Sequence, residues 1–550
     1  MADTPISIRS AARKLLQLIN LERQEVSKIY LFAGLAGFIQ LSLPLGIQAI
    51  VSILFGGVVS ASLVVLISFV VIGVLLAGVF QLMQMRVTES IQQRIFARLT
   101  FAYAYHIPKI DLLSVSNYYL PELVNRFFDT ASLQKGLSKL LLDLPAATIQ
   151  IVFGLILLSF YHPIFIAFGL VLIAIVFSIF YFSSTRGLKT SLEESDFKYH
   201  VAHWLEEMSR TIKTFKFSGS DLHLQKTDKL TSGYLDARTA HFNVLLLQYR
   251  VLIAFKVLIT ASMLILGAIL LIRQQINLGQ FVAAEIIIIA ILNSVEKLIL
   301  NLETLYDVLT SIEKLDKVLQ KPHEQEAQPQ ADISSILQRP IGLKIDGLRF
   351  AYTNNETLFD HLSFSVSPGE KVCIKGREGS GKTTLLRILS GLYPHFGGRI
   401  LVNEVPIQSI PVQEWRKKVA VFFAQEELFG GTLIENLTLG NKSATLEEIV
   451  KICQLVGLSE FVNGHKDGYN LQVGPVGQQL PNSIVSKILL ARCFLSKPAL
   501  LILENGWQGV EAKHRKDIID YLVENKSFSL LVVSELDELC SRCDKTVSLN

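Results

Sequence analysis

Six long apolar runs in the first 300 residues constrain the fold of this chain more than any other feature of its sequence. A helix needs about 20 apolar residues to cross a hydrocarbon core about 30 Å thick. The runs are Ile29–Leu54, Leu63–Met83, Leu140–Tyr161, Ile164–Phe182, Leu252–Ile272 and Phe281–Leu300. Because a His162-Pro163 turn separates the third run from the fourth, we predict six membrane-spanning helices.

The composition of the 550 residues agrees with a membrane protein that carries a soluble part. Hydrophobic residues make up 50% of the chain and charged residues only 18%, with a mean hydropathy of +0.41. Soluble domains carry about 25% charged residues, so a wholly soluble chain of this composition would need an unusually large core. The net charge of +4 is too small to indicate nucleic-acid binding, and we predict no nucleic-acid partner.

The basic residues predict the orientation of the spans, because Lys and Arg concentrate in cytoplasmic loops. The segments 1–28, 86–139 and 184–250 are basic, whereas the short connections at 55–62 and 162–163 carry no Lys or Arg. We therefore predict that both termini are cytoplasmic and that membrane helices extend well into the cytoplasm. The first segment has no apolar signal-peptide core and suits an amphipathic helix on the inner membrane face.

The composition changes after the sixth span. Residues 321–340 are rich in Gln, Glu and Pro, which is typical of a linker. From residue 341 onward, short β-like runs alternate with helical ones, as in an α/β domain. We therefore divide the chain into a cytoplasmic lead-in (1–28), a transmembrane domain (29–320), the linker (321–340) and an α/β domain (341–550).

All five cysteines lie in the α/β domain, at Cys373, Cys453, Cys493, Cys540 and Cys543. A cytoplasmic location predicts that their thiols are reduced. Cys540 and Cys543 have the spacing of metal ligands, but no second Cys pair or His accompanies them. We interpret that spacing as incidental.

A phosphate-binding loop is the strongest chemical signal in the chain. The loop reads Gly376-Arg377-Glu378-Gly379-Ser380-Gly381-Lys382-Thr383-Thr384. It follows a predicted strand at 371–375 and opens a predicted helix, so it matches G-x-x-x-x-G-K-[ST] in the expected context. Glycines let backbone N–H groups face phosphate oxygens, Lys382 reaches the β- and γ-phosphates, and the Thr383 hydroxyl binds Mg²⁺. We predict that these residues bind ATP and Mg²⁺.

The order of these features resembles the half-transporter type of ATP-binding cassette (ABC) exporter, over nearly the whole chain. The resemblance implies an all-α, six-helix transmembrane domain of the ABC exporter type and an α/β P-loop nucleotide-binding domain. It also implies that Tyr352 stacks on adenine and that Gln425 contacts Mg²⁺. The segment Leu428–Asn436 is similar to the exporter sequence after that glutamine. This segment and the six spans exclude a soluble P-loop kinase or GTPase.

The signature of the family is degenerate in this chain. Counting back from Ala491-Arg492 without gaps aligns Leu480-Pro481-Asn482-Ser483-Ile484 with the family's L-S-G-G-Q. In the family, this segment opens a helix whose N–H groups hold the γ-phosphate on the opposite subunit. Pro481 has no N–H, and Asn482 and Ser483 carry side chains where a close approach is needed.

The resemblance also indicates that two catalytic groups are missing. Glu504 matches the carboxylate that holds Mg²⁺, but Asn505 replaces the catalytic base and Glu535 occupies the position of the switch histidine. An amide cannot accept the proton of the attacking water, and such a base is worth about 10²–10⁴ in rate. A gap placed elsewhere would instead make Glu504 the catalytic carboxylate.

The composite sites of ABC dimers sharpen this expectation, because each phosphate loop faces the signature of the other subunit. Neither a homodimer nor a heterodimer with an intact half-transporter would contain one complete site. We therefore predict a bacterial inner-membrane exporter half with weak or partner-dependent hydrolysis, whose cargo is a peptide, protein, lipid or drug-like molecule. The alternative is a catalytically inactive pseudo-transporter with a regulatory or scaffolding role.

Polar residues inside the spans are further functional candidates. Lys256 and Glu296 lie at similar depth on the antiparallel fifth and sixth spans, so they either extend separately to the interface or pair. Four glutamines of the first two spans either line a cavity or bond neighbouring helices. They are Gln40, Gln48, Gln81 and Gln84.

Overall fold

The structure is a computed structural model that describes residues 8–55, 61–116, 119–324, 337, 340–352, 357–424, 427–475, 480–504, 510–534 and 537–549. The chain divides into two compact units. The first consists of Met1–Lys109 and Val115–Lys321, and the second of Ile110–Ser114 and Pro322–Asn550. The short piece 110–114 therefore belongs with the C-terminal part of the chain.

The first unit is built from α-helices. In the described residues they are α1 (Ile8–Leu21), α2 (Arg23–Gln40), α3 (Ser42–Phe55), α4 (Ala61–His106), α5 (Leu120–Asn125), α6 (Asp129–Tyr161), α7 (Ile164–Arg210), α8 (Ile212–Phe217), α9 (Leu222–Ile272) and α10 (Leu278–Leu319). Six stretches are long and apolar enough to cross a membrane, with α2 and α3 together forming the first. The prediction of six spans is confirmed.

The membrane helices are longer than a bilayer requires. With 51 residues, α9 extends about 75 Å at 1.5 Å per residue, more than twice the thickness of the hydrocarbon core. The lengths of α4, α7 and α10 are 46, 47 and 42 residues. These lengths agree with the predicted extension of the helices beyond the membrane.

A break between α2 and α3 interrupts the first span at Leu41. Pro44 has no N–H, so the carbonyl of Gln40 lacks its helical donor four residues later. The sequence prediction treated residues 29–54 as one continuous helix. The break is the difference between that prediction and the structure, and Pro44 is its physical cause.

The second unit is an α/β domain. Its described strands are β1 (Leu343–Ala351), β2 (Thr357–Val366), β3 (Lys371–Gly376), β4 (Gly397–Val402), β5 (Val405–Pro406), β6 (Val419–Phe422), β7 (Gly431–Thr432), β8 (Gln472–Val473), β9 (Leu500–Leu503), β10 (Ser529–Val533) and β11 (Lys545–Leu549). Its described helices are α11 (Lys382–Leu389), α12 (Val412–Arg416), α13 (Leu433–Thr438), α14 (Leu446–Leu455), α15 (Ser459–Asn463), α16 (Asn482–Leu495), α17 (Ala512–Glu524) and α18 (Asp537–Ser541). The predicted fold class is confirmed.

A five-stranded parallel sheet in the order β11-β3-β10-β9-β6 forms the centre of this unit. A second, antiparallel sheet has the order β2-β1-β4-β5. The parallel strands are buried on both faces, with Val372 and Ile374 in one apolar cluster and Cys373 in the other. Because the carboxyl ends of parallel strands meet at one edge, the residues that follow β3, β9 and β10 lie close together.

The piece 110–114 packs within the second unit. The backbone N–H of Asp111 donates to the carbonyl of Pro322 at 3.0 Å. Leu112 and Leu113 are partly buried against the cluster that contains Val372 and Ile374. This segment, which lies in sequence between α4 and α5, therefore packs with the α/β domain.

Candidate functional site

The loop between β3 and α11 has the backbone geometry of a phosphate cradle. Gly379 and Gly381 have φ values of +80° and +86°, a region that L side chains rarely adopt. A Cβ on Gly379 would meet nothing within 4 Å, whereas one on Gly381 would lie 2.7 Å from the Phe359 ring. Gly381 is the N-cap of α11, so the loop ends at a helix N-terminus whose N–H groups favour anions.

The Lys382 side chain folds over this loop. Its ammonium donates hydrogen bonds to the carbonyl oxygens of Gly376 and Arg377, at 2.8 and 2.7 Å. Arg377 and Glu378 are themselves exposed. The cation is therefore held at the loop, where it can exchange these carbonyls for phosphate oxygens.

Glu504 is directly beside the start of α11. One carboxylate oxygen accepts a short hydrogen bond from the Thr383 hydroxyl, and the other accepts from the backbone N–H of Ala424 at 3.1 Å. Glu504 follows β9 and Ala424 follows β6, so the edge of the parallel sheet brings these groups together. The Ala424 N–H is a contact that sequence reasoning missed, because a backbone donor has no side-chain signal.

Ser380 provides an unpaired polar atom inside the loop. Its hydroxyl oxygen is buried and has no hydrogen-bond partner in the part of the chain that the structure describes. The same oxygen would lie 2.5 Å from a Cβ on Gly376, so the loop needs glycine there. A buried hydroxyl without a described partner suits a ligand rich in oxygen atoms.

Tyr352 reaches the same helix from β1. Its hydroxyl hydrogen-bonds the Thr384 hydroxyl at 2.7 Å, while 46% of the residue stays exposed. The ring packs edge-on against Phe350 and Tyr393, with centroids 5.1 and 6.1 Å away. The structure therefore brings Tyr352 to the phosphate loop with part of its ring free.

Three of the predicted site residues lie outside the described residues. They are Gln425, Asn505 and Glu535. Each directly follows a described residue at the sheet edge: Gln425 follows Ala424, Asn505 follows Glu504 and Glu535 follows the buried Ser534. Their roles stay predictions.

The degenerate signature forms the start of α16. Pro481 is the N-cap of this helix, with φ −57° and ψ 143°, and no side chain caps the terminus. The carbonyl of Pro481 accepts from the N–H groups of Ile484 and Val485, at 2.9 and 3.1 Å. The helix thus begins with Pro481 and the exposed Asn482, which the predicted alignment places at the serine and the first glycine of the family's L-S-G-G-Q.

Two buried lysines lie on the elements next to the phosphate loop and the predicted signature, one at the start of β3 and one in α16. Lys371 begins β3 and donates to the carbonyls of Asn525 and Phe528, both at 2.7 Å. Burial lowers the pKa of Lys371 to about 8, and the Lys526 ammonium acts in the same direction. Lys487 in α16 lies 3.5 Å from a Glu511 carboxylate oxygen and donates to the Gly457 carbonyl.

The cysteines differ from the sequence expectation at one pair. Cys373 of β3 and Cys540 of α18 form a disulfide, with Cα atoms 5.4 Å apart. The expectation of reduced thiols is therefore wrong for this pair, because β3 and the segment after β10 are neighbours in the sheet. The sequence carried no signal for it, since 167 residues separate the two cysteines. Cys453 is a free thiol whose pKa is raised to about 11 by burial.

In the first unit, Lys256 and Glu296 pair. The Lys256 ammonium donates to a Glu296 carboxylate oxygen at 2.7 Å, which joins α9 to α10. Gln48 accepts a hydrogen bond from the Tyr161 hydroxyl at 2.6 Å. Gln40 and Gln81 instead line a cavity of about 490 Å³. Both interpretations of the span glutamines therefore hold, for different residues.

Two parts of the chain match known protein families. Residues 27–295 match the ABC transporter transmembrane region, and residues 359–506 match the ABC transporter family. The chain is also similar in fold to a bacterial Atm1-family ABC exporter with ATP bound, with a TM-score of 0.83. That similarity covers 96% of this chain and 93% of the other at 19% sequence identity, so it concerns the fold alone.

Three relatives illustrate the range of similar proteins. The chain is 25% identical over 458 residues to YgaD of Bacillus subtilis, whose name describes it as a multidrug export ATP-binding/permease protein. This match covers 80% of this chain and 77% of that protein. It is 26% identical to the colicin V secretion/processing ATP-binding protein of Escherichia coli and 29% identical to the ATP-dependent lipid A-core flippase of Chromobacterium violaceum. These two matches cover 41% and 38% of this chain, and 32% and 36% of the relatives, so the chain spans about a third of their length.

Proposed function

Because this chain belongs to the ABC transporter family and has the fold of its exporters, we propose that it binds Mg-ATP and hydrolyses it weakly or with a partner. It acts as one half of an exporter that moves cargo outward across a bacterial inner membrane. The second half is another copy of the chain or another half-transporter. The functional parts are the lead-in 1–28, the transmembrane domain 29–320, the linker 321–340 and the cassette 341–550.

The observation that carries this proposal is the contact between Glu504 and Thr383. In the family pattern, the P-loop hydroxyl and the metal-holding carboxylate share one cation, so a carboxylate on Thr383 occupies the metal position. This contact supports the alignment without a gap, in which Asn505 takes the place of the base. It argues against the alternative in which Glu504 is the base.

The residues present fit ATP and Mg²⁺. Gly379 and Gly381 leave the loop open to phosphate, and the buried Ser380 hydroxyl lacks a partner among the described residues. Thr383 and Glu504 supply hydroxyl and carboxylate oxygens, which hard cations such as Mg²⁺ prefer. When bound, ATP would supply the phosphoanhydride and Mg²⁺ would neutralise part of its charge. Lys382 and the N-terminus of α11 would hold the phosphates, and Tyr352 would support the base.

The same site lacks the groups that accelerate hydrolysis. Asn505 cannot accept a proton from water, which removes about 10²–10⁴ in rate. Because Pro481 has no N–H, the start of α16 offers a poorer anion site to the phosphates of a partner subunit than the family's serine would. These substitutions support slow or partner-dependent turnover.

The cytoplasmic placement of both termini rests on charge. Six spans return the chain to the side on which it began. The segments 86–139 and 184–250 on that side are basic, and the short connections opposite carry few cations. For the cargo we retain a peptide, protein, lipid or drug-like molecule. Because the lining of the 490 Å³ cavity is uncharged, we expect the part of the cargo that contacts it to be uncharged as well.

Phosphate release from the purified full-length chain in liposomes tests the proposal. We expect ATP to stabilise the protein against heat, phosphate release to stay far below ordinary transporter rates, and Lys382→Ala to abolish the ATP stabilisation. Lys442→Ala, an exposed site in the same unit, is the matched control. Fast hydrolysis by the chain alone, lost in Lys382→Ala, would overturn the claim of weak catalysis. Absence of ATP binding would overturn the whole proposal.

A further inference from the structure

The N-terminal helix and the first span enclose a groove that the exporter function does not use. The groove has a volume of about 790 Å³ and lies between α1 and α2. Its lining is Arg13, Leu16, Gln17, Ile19, Asn20, Arg23, Val26, Ser27 and Tyr30. We call it the elbow groove, and we propose that it binds the headgroup and upper acyl chain of an anionic phospholipid.

Around the elbow groove, the carboxylates have ion-pair partners, whereas two arginines have none among the described residues. The nearby carboxylates are paired: Glu22 is buried and contacts Arg94 and Arg98 at 3.2 and 2.7 Å. Glu25 contacts Lys28 at 3.0 Å. By contrast, Arg13 and Arg23 are exposed and form no ion pair or hydrogen bond with any described residue. Among the described residues, the groove lining therefore has two guanidinium groups and no carboxylate to neutralise them.

The floor of the groove is apolar. Val26 is buried, Ile19 is half-buried, and Leu16 is 64% exposed. Arg23, Val26, Ser27 and Tyr30 recur every three to four residues and so share one face of α2. Guanidinium groups beside an apolar strip match a ligand with a phosphate at one end and a hydrocarbon chain at the other.

The groove lies at the depth of lipid headgroups. Counting back about 20 residues from Phe55 reaches the inner boundary of a 30 Å core near residue 35. Tyr30 then falls in the interfacial layer, where Tyr is enriched, and α1 lies at the membrane surface. On the proposed orientation this is the cytoplasmic leaflet, which carries the anionic lipids.

The other side of α1 is fixed to the helical unit. Ala11 and Leu15 are buried, and the Lys14 ammonium contacts Glu313 of α10 at 3.0 Å. The helix therefore presents a stable wall to the groove. A lipid in the groove would hold α1 and α2 together from the exposed side.

Native mass spectrometry of the full-length chain in detergent tests this site without depending on membrane orientation. Phosphatidylglycerol and phosphatidylcholine are added in equal amounts. We expect phosphatidylglycerol to bind first, and Arg13→Gln/Arg23→Gln to weaken it about 30-fold, since each surface Arg is worth about 1 kcal/mol toward anionic lipid. Arg13→Lys/Arg23→Lys retains most of the preference.

The matched control is Lys442→Gln/Lys466→Gln, which removes two exposed positive charges from the second unit and leaves the preference unchanged. ATP-dependent thermal stabilisation reports that each variant is folded. Equal binding of the two lipids by the unmodified chain, or an unchanged preference in the Arg→Gln variant, overturns the proposal. Displacement by sn-glycerol 3-phosphate at the same concentration would show a free-phosphate site and overturn the lipid assignment.

Discussion

Two helix N-termini in the second unit differ in the residues that precede them, and we expect only one of the two to bind phosphate. The phosphate-loop helix α11 begins after Gly381, which has a φ of +86°, and the Lys382 ammonium donates to a carbonyl of the loop. The signature helix α16 begins after Pro481, which has no N–H and no left-handed conformation. A helix dipole is present in both cases. If only α11 binds phosphate, as we propose, the dipole alone does not make a phosphate site, because the residues before the helix decide how closely an anion approaches.

The largest effect is expected when the start of α16 and the catalytic base are both changed to the residues of the family pattern. In Pro481→Ser/Asn482→Gly/Ser483→Gly/Asn505→Glu, we expect ATP hydrolysis to rise about 10²–10⁴-fold, the usual contribution of a general base. Phosphate release in liposomes measures the change. Adding Lys382→Ala to the four substitutions must abolish the gain. An unchanged rate would favour the pseudo-transporter interpretation over a slow exporter.

Damaging the first terminus gives the next largest effect. Gly381→Ala forces a side chain into a left-handed conformation that costs about 1–2 kcal/mol, and its Cβ would collide with the Phe359 ring. We expect ATP affinity to fall about tenfold, measured by equilibrium binding of a fluorescent ATP analogue. Asn482→Ala at the start of α16 is the matched variant and leaves this affinity unchanged. Equal losses in the two variants would remove the distinction between the termini.

The two buried lysines extend the comparison to pH. Lys371 has a folded-state pKa of about 8 against 10.5 for the ordinary side chain, so the unfolded chain binds the extra proton between these values. Raising the pH from 8 to 9 therefore increases the free energy of unfolding by about 1 kcal/mol. Thermal unfolding of the full chain measures it. We expect this pH-dependent increase in stability to disappear in Lys371→Met. It persists in the control Lys487→Met, because Lys487 has a carboxylate partner. Persistence in both variants would refute the assignment of the increase to Lys371.

The smallest effect is expected from Pro481→Ser alone. The phosphate loop of an isolated chain does not use its own signature, so ATP affinity changes less than about twofold, within ordinary surface-substitution effects. The same fluorescent analogue measures this affinity. A larger loss would mean that α16 contributes to nucleotide binding within one chain, contrary to the composite-site interpretation.

The sequence predicted those parts of the fold that have local signals. Each membrane span is a continuous apolar run, and the phosphate loop is one uninterrupted motif, so neither requires knowledge of distant residues. The approach of Glu504 to Thr383 was also implied, because both residues were predicted to hold the same Mg²⁺ ion. Pro44 carried a signal for the break at Leu41 that the length of the first apolar run obscured.

What could not be predicted depends on residues far apart in the chain. The Cys373–Cys540 disulfide spans 167 residues and follows from strand order, which neither cysteine indicates. The Ala424 N–H at Glu504 is a backbone donor of an ordinary residue. The pairing of Lys256 with Glu296 was one of two interpretations until helix rotation was known, because depth alone does not fix which faces meet.

The folded position of Lys382 has a consequence for which nucleotides the loop accepts. A ligand must compete with the carbonyl oxygens of Gly376 and Arg377 for the same ammonium group. A triphosphate brings several charged oxygens to that competition, a monophosphate brings few, and a nucleoside brings none. We therefore expect discrimination among nucleotides to begin with charge density at the loop, before the base reaches Tyr352.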